Sequence, residues 1–214
     1  MNTENNQNIN EPANTPKKKS ALNVPNALSL LRCLLVPAFV ATLLYIDHDI
    51  WGYVIPALVY GLTALTDMLD GQIARRCNLV TDFGKFIDPL ADKFMVIGSQ
   101  IALLVKMLFE GKYLLASIFV WVVLIILLRE LGVTSLRLVV AGKSGIVVAA
   151  NIWGKLKTVS QMVGTVVIIL EPIIPFFRDN HILSYVFMGI MAITTIFSGA
   201  TYLKAYLPYI NTNE

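Results

Sequence analysis

From about residue 22 onward the chain is a succession of long apolar runs separated by short polar connections. A helix that crosses a membrane needs roughly 20 mostly apolar residues. Leu28–Ile46 meets that length, with Pro37 as an expected kink. A second run begins near Trp51, a third ends near Val105, and a fourth begins near Tyr113. A fifth ends near Leu170, ahead of Glu171-Pro172, and a sixth covers Ile182–Leu203. The pattern predicts an all-α integral membrane protein of six transmembrane helices. The middle four runs reach full length only by taking in charge at one end. Asp67 and Asp70 follow Trp51–Thr66; Asp88, Asp92 and Lys93 precede Phe94–Val105; Arg129 and Glu130 follow Tyr113–Leu128; Lys155 and Lys157 precede Thr158–Leu170. Charge inside a span is costly, and its default meaning is functional.

Composition agrees with lipid as the solvent. Hydrophobic residues are 56% of the 214 and charged residues only 14%, where a soluble domain carries about a quarter charged. The net charge of +3 is too small to suggest a nucleic-acid partner. Cys33 and Cys77 stand apart in no metal-ligand pattern and read as reduced, buried small residues. Residues 1–21 are rich in Asn, Thr, Gln and Pro and carry Lys17, Lys18 and Lys19. They read as a disordered tail with a basic anchor, ahead of a six-helix domain over 22–210. With six spans, every Lys and Arg except Lys106, Lys112 and Arg178 falls on the side shared by both termini. That side is therefore expected to be cytoplasmic. The expected location is the cytoplasmic membrane, with a polar cavity open at the inner leaflet, because the intramembrane charges share one depth. Trp51, Tyr53, Tyr113, Trp121, Tyr185, Tyr202, Tyr206 and Tyr209 read as interfacial belts.

The densest chemistry lies between the second and third runs. Asp67 and Asp70 share a helix face with Gly71 and Ala74, and Asp88 and Asp92 are one turn apart on the next helix. The short connection Arg76–Phe83 predicts that these helices are antiparallel neighbours, with two pairs of carboxylates facing each other across one cavity. Pro89 belongs in a first turn or at a kink. Four close carboxylates repel unless a cation intervenes. An all-oxygen set without His or Cys suits Mg²⁺ or Mn²⁺, and two such ions are a common device for displacement at phosphorus. Gly71 leaves room for phosphates near the backbone, and Arg75, a turn further on, suits a phosphate. The structural alternative pairs Asp88 and Asp92 with Lys85 and Lys93, and Asp70 with Arg75.

The run Asp67-x2-Asp70-Gly71-x2-Ala74-Arg75-x8-Gly84-x3-Asp88-x3-Asp92 resembles the signature of the CDP-alcohol phosphotransferase family at every position. Asn23-Val-Pro25-Asn26-Ala-Leu-Ser29-Leu-Leu-Arg32, Arg129-Glu130-x3-Thr134-Ser135-x-Arg137 and Gly154-Lys155-x-Lys157-Thr158 resemble the phosphatidylglycerophosphate synthase branch. The resemblance covers roughly residues 22–205. It implies CDP-diacylglycerol and sn-glycerol 3-phosphate as substrates, phosphatidylglycerophosphate and CMP as products, and a homodimer. It further implies two metals held by Asp67, Asp70, Asp88 and Asp92, with Asp92 also the base. Gly71, Ala74, Arg75 and Thr81 would line the site of the CDP part.

An acceptor bearing a phosphate dianion calls for a cationic pocket, for which Arg129, Arg137, Lys155 and Lys157 are the candidates. Arg137, Lys155 and Lys157 alternatively serve as ordinary anchors at the inner leaflet. Asn26 and Arg32 either touch the CDP-lipid or order the inner end of the first helix. Phosphatidylglycerol or inositol phosphate as acceptor would keep the chemistry and change the product. A divalent-cation transporter is the non-enzymatic alternative, disfavoured because no internal repeat is found.

Overall fold

The computed structural model describes residues 24–46, 50–77, 82–144 and 151–210. The expected N-terminal tail lies outside them, as do Thr81 and His48. Six long helices make up nearly all of the described chain: α1 Val24–Tyr45, α2 Trp51–Cys77, α3 Asp82–Phe109, α4 Tyr113–Ser144, α5 Ile152–Leu170 and α7 Ile182–Ile210. A single turn, α6 Pro175–Arg178, follows a 3-10 turn at Glu171–Ile173. No strand occurs among the described residues. Helix is the form that satisfies every backbone N–H and C=O within its own segment, the condition for residence in lipid.

Four stretches are long and apolar enough to cross a membrane: Asn26–Tyr45, Tyr113–Gly142, Ile152–Ile173 and Ile182–Tyr209. The helices α2 and α3 are as long but carry Asp67 and Asp70, and Asp88, Asp92, Lys93 and Lys106, respectively. Leu34, Leu58, Phe86, Leu128 and Leu138 are exposed on the outside of the bundle, where a soluble fold would not leave so much large apolar surface.

The helices run further than the apolar runs do. α1 starts at Val24, α3 reaches Phe109 and α7 reaches Ile210, because polar residues at a span end stay helical. Pro37, Pro56, Pro89 and Pro208 all sit inside helices. Pro89 is well past the first turn of α3 and leaves Asp88 and Asp92 on one continuous helix. Gly111 ends α3 with φ +70°. There Lys112 N–H donates to Met107 O at 2.9 Å and Gly111 N–H to Leu108 O at 3.1 Å, the paired bonds of a left-handed glycine cap.

Among the described residues, α1 packs against both α2 and α3. It ties the two carboxylate-bearing helices together through Arg32. Apposed acids would repel, and α1 brings a cation between them. α5 and α7 approach closely, since a Cβ added at Gly164 would lie 3.0 Å from Met191 Sδ. Polar ties cross the same region: Gln100 Nε2 donates to Thr165 Oγ1 at 3.0 Å, Gln161 Nε2 to Thr195 Oγ1 at 3.2 Å, and the Ser160 and Thr194 hydroxyls lie 2.8 Å apart. The apolar core includes Phe39, Tyr60, Met95, Phe119, Ile126, Met188 and Met191. Between helices in lipid such packing works through dispersion and hydrogen bonds, not water release. Tyr202 and Tyr206 are buried and stacked with centroids 6.4 Å apart. They belong to the core, not to an interfacial belt, because Tyr202 fills the space above Gly154.

Candidate active site

At the end of the bundle where α1 and α3 begin and α2 ends, three helices bring their polar residues together. Arg32 of α1 is fully buried, and its Nη1 lies 2.8 Å from Asp67 Oδ1 of α2. The same nitrogen bonds Asp92 Oδ1 of α3. One turn earlier on α3, Asp88 accepts a hydrogen bond from Ser29 Oγ at 2.5 Å. Ser29 and Arg32 are three residues apart, which places both on one face of α1. That face fits between α2 and α3. Asn26, on the same helix, is buried as well.

Burial divides this cluster. The Arg32 side chain is 0% exposed, whereas Asp67 retains 27% of its side-chain surface and Asp92 55%. The guanidinium is a fixed interior charge, and the carboxylates open outward from it. Asp92 pairs with Arg32, whose guanidinium offers several donors in a rigid fork to a buried site.

The donors that converge here are carboxylate oxygens with no His or Cys among them, a chemistry that fits a hard divalent cation. No three His, Cys, Asp or Glu side chains among the described residues are grouped closely enough to hold an ion alone. The four-acid set expected from the sequence includes Asp70, whose side chain lies outside the described residues. Gly71, Ala74 and Arg75 lie on α2 with their side chains likewise outside, and Thr81 is outside altogether.

The acceptor candidates separate into two kinds. Lys157 of α5 is buried and ion-paired with Glu130 of α4. Arg129 Nη1 lies 3.3 Å from the same Glu130 oxygen. Arg129 Nη2 donates to Ser198 Oγ of α7 at 2.6 Å, and its guanidinium sits 5.3 Å over the Tyr202 ring, a favourable cation–π geometry. Arg137 and Lys155 are exposed.

Two polar residues of this region have no role from the sequence, Ser29 and Ser198, and Glu130 enters there only beside Arg129, one of the two binding ligand and the other pairing with a neighbour. Ser29 had a signal, its i,i+3 spacing from Arg32. Glu130 had another, as an acid set among intramembrane cations. Nothing in the sequence singled out Ser198, one of many hydroxyls on a long helix.

A second ionic cluster closes the opposite end. Glu110 bonds Lys112 at 2.7 Å and lies 3.5 Å from both Lys106 Nζ and Tyr53 Oη. Glu171 is buried and accepts from Leu183 N–H at 2.8 Å, from Ser184 N–H at 3.2 Å and from the Ser184 hydroxyl. The cavity between these groups is about 20 Å³, room for roughly one water. Nearby His181 has its pKa lowered, first by burial and then by Lys112.

Comparison with known proteins supplies the chemical frame. A family model described as CDP-alcohol phosphatidyltransferase matches residues 22–198. The chain is 36% identical to a CDP-diacylglycerol--glycerol-3-phosphate 3-phosphatidyltransferase of Bacillus subtilis, over 90% of this chain and 99% of that protein. It is 34% identical to the Pseudomonas fluorescens protein of the same name, over 90% and 94% of the two chains. It is 35% identical to a probable phosphatidylglycerophosphate synthase of Mycobacterium tuberculosis, over 86% and 82%.

Proposed function

Because the chain belongs to the CDP-alcohol phosphatidyltransferase family, we propose that this enzyme transfers the phosphatidyl group of CDP-diacylglycerol to sn-glycerol 3-phosphate, releasing CMP. The names of the relatives support that substrate pair. The observation that carries the chemistry is the meeting of Asp67 and Asp92, from two helices, at the buried Arg32. Six spans, with both termini and the site on the cytoplasmic side, and a homodimer complete the proposal. The positive-inside distribution of Lys and Arg supports the orientation.

Asp67, Asp70, Asp88 and Asp92 would hold divalent cations, Mg²⁺ or Mn²⁺. Bound there, such cations neutralise the diphosphate and stabilise the departing CMP. The remaining steps belong to the chain. Gly71, Ala74, Arg75 and Thr81, with Asn26, border the CDP part of the donor. Arg32 fixes the directions of Asp67 and Asp92. Asp92, with the more open carboxylate, takes the proton of the acceptor hydroxyl as that oxygen bonds the lipid-side phosphorus. The bond from that phosphorus to the CMP oxygen breaks, and no covalent enzyme intermediate forms. Lys157 and Arg129 receive the phosphate of the acceptor, with Arg137 and Lys155 drawing it in from the cytoplasmic rim.

The test is CMP release by purified protein given CDP-diacylglycerol, Mg²⁺ and one acceptor at a time. Release is expected with glycerol 3-phosphate and is expected to stop on chelation. Release only with phosphatidylglycerol or with inositol phosphate would overturn the acceptor and leave the reaction class standing.

A further inference from the structure

The carboxylate of Glu130 is the least expected part of the acceptor region. A pocket for a phosphate dianion gains from cations and loses from an acid, yet Glu130 touches both cations. One of its oxygens bonds Lys157 Nζ and lies 3.3 Å from Arg129 Nη1. The Glu130 and Arg129 side chains are each only 12% exposed and that of Lys157 5%. Charges so withdrawn from water cannot stand unpaired without a large penalty. Arg129 has a further tie to Ser198 and the Tyr202 ring beneath it, so its position is held when the partner oxygen changes.

We infer that Glu130 is the affinity-setting counter-ion of the acceptor pocket, holding Lys157 and Arg129 until the phosphate of the acceptor displaces it from them. This deepens the proposed function and rests on it for the identity of the acceptor. The three groups together carry one net positive charge, from two cations and one acid. An incoming phosphate monoester therefore meets a pocket already neutralised in part. It must part the buried Glu130 carboxylate from its cations to bind, and that penalty is what weakens binding; it leaves readily once joined to the lipid because Glu130 takes the cations back. The class of ligand recognised is a small phosphate monoester. An uncharged alcohol would have nothing with which to displace the carboxylate. Glu130 is a specificity-determining residue here, acting through the two cations.

The experiment compares wild type with Glu130→Gln in the full-length protein, using glycerol 3-phosphate and, separately, inorganic phosphate as probes in calorimetry. Removing the charge while keeping the shape is expected to tighten both probes by roughly tenfold, within the usual range of coupling between competing sites. The KM for glycerol 3-phosphate should fall with it, kcat should fall as product leaves more slowly, and the KM for CDP-diacylglycerol should not move. A merely structural role predicts no tightening. Where the Gln variant does not fold, Glu130→Asp serves, with its shorter reach loosening the pairs. Its thermal midpoint should rise more on adding glycerol 3-phosphate than that of wild type. Unchanged or weaker probe affinity in folded Glu130→Gln, or no larger rise in Glu130→Asp, would overturn the inference. If wild type releases no CMP with glycerol 3-phosphate, the functional proposal fails, and the inorganic-phosphate comparison still decides the role of Glu130.

Discussion

The two ends of the bundle both gather acids and bases, and they do so in opposite ways. At the end closed by Glu110 and Glu171, the acids are fully engaged. Glu171 is 1% exposed and caps the start of α7 through Leu183 and Ser184. Glu110 answers Lys112 and Lys106. At the other end, Asp67 and Asp92 share one nitrogen of Arg32 and keep 27% and 55% of their side-chain surfaces open. The first arrangement satisfies its charges internally and has little left to offer a ligand. The second leaves its acids partly open at the surface. Carboxylates open at a membrane depth are suited to a cation or substrate that completes them. The contrast supports the proposal that one end fastens the bundle and the other carries the chemistry.

The largest effect should come from removing an acid at the open end. Asp92→Asn and Asp67→Asn are each expected to lower CMP release on the order of a thousandfold, the scale of losing a group that acts on the transition state. Thermal midpoints should hold or rise, because each change relieves repulsion around Arg32. Wild-type turnover in both variants would erase the distinction between the ends. Arg32→Met comes next. It removes a fully buried base from two acids and should cost about 3–5 kcal/mol of stability, the usual penalty for breaking a buried pair from one side. Denaturant titration in mild detergent measures it, and a cost below that of an exposed pair would mean that Arg32 does not organise the site.

The sequence made the two ends unequally legible. Continuous apolar runs disclose helices directly, because lipid demands internal backbone bonding and few charges. Asp67, Asp88 and Asp92 were readable since each interrupts such a run. What α1 does was not readable. Spacing brings the acids of α2 and α3 toward one cavity, but spacing within a helix is silent about which third helix reaches them. The sequence leaves two roles open for Arg32 and assigns none to Ser29. The Glu130 pairs were half visible, since the sequence showed an acid beside Arg129 but not which Lys would turn toward it. The closed end was the least legible. Glu171 looked like the stop of α5, and only the path of the chain through α6 brings it under the N-terminus of α7.

At the closed end, Glu171→Gln tests the contrast from the other side. It keeps the shape, removes the charge and weakens the bonds to Leu183 and Ser184. Losses from a buried charge-assisted bond run to about 1–3 kcal/mol. The thermal midpoint should fall accordingly, while kcat and both KM values remain those of wild type. A fall in kcat comparable to that of Asp92→Asn would show that the two ends are coupled in catalysis and that the division is false.

The smallest effect concerns acid. His181 lies between Arg178 and the start of α7, with Lys112, Glu171, Glu110 and Asp179 around it. Burial and Lys112 favour its neutral form in the fold, so its pKa lies below the ordinary 6.5. The unfolded chain thus binds the proton more readily than the folded one. Its contribution to stability is complete above pH 6.5 and is lost as pH falls through the lower, folded value. The residue also holds a φ of 49°, which Asn tolerates. His181→Asn should therefore keep the turn and remove the titration. Its thermal midpoint should decline less than that of wild type below pH 6.5, with the two curves parallel above it. Because the aspartate end is remote from this turn, the pH profile of CMP release should be the same in both proteins. A shift of that profile in His181→Asn would show that protonation at the fastening end reaches the chemistry.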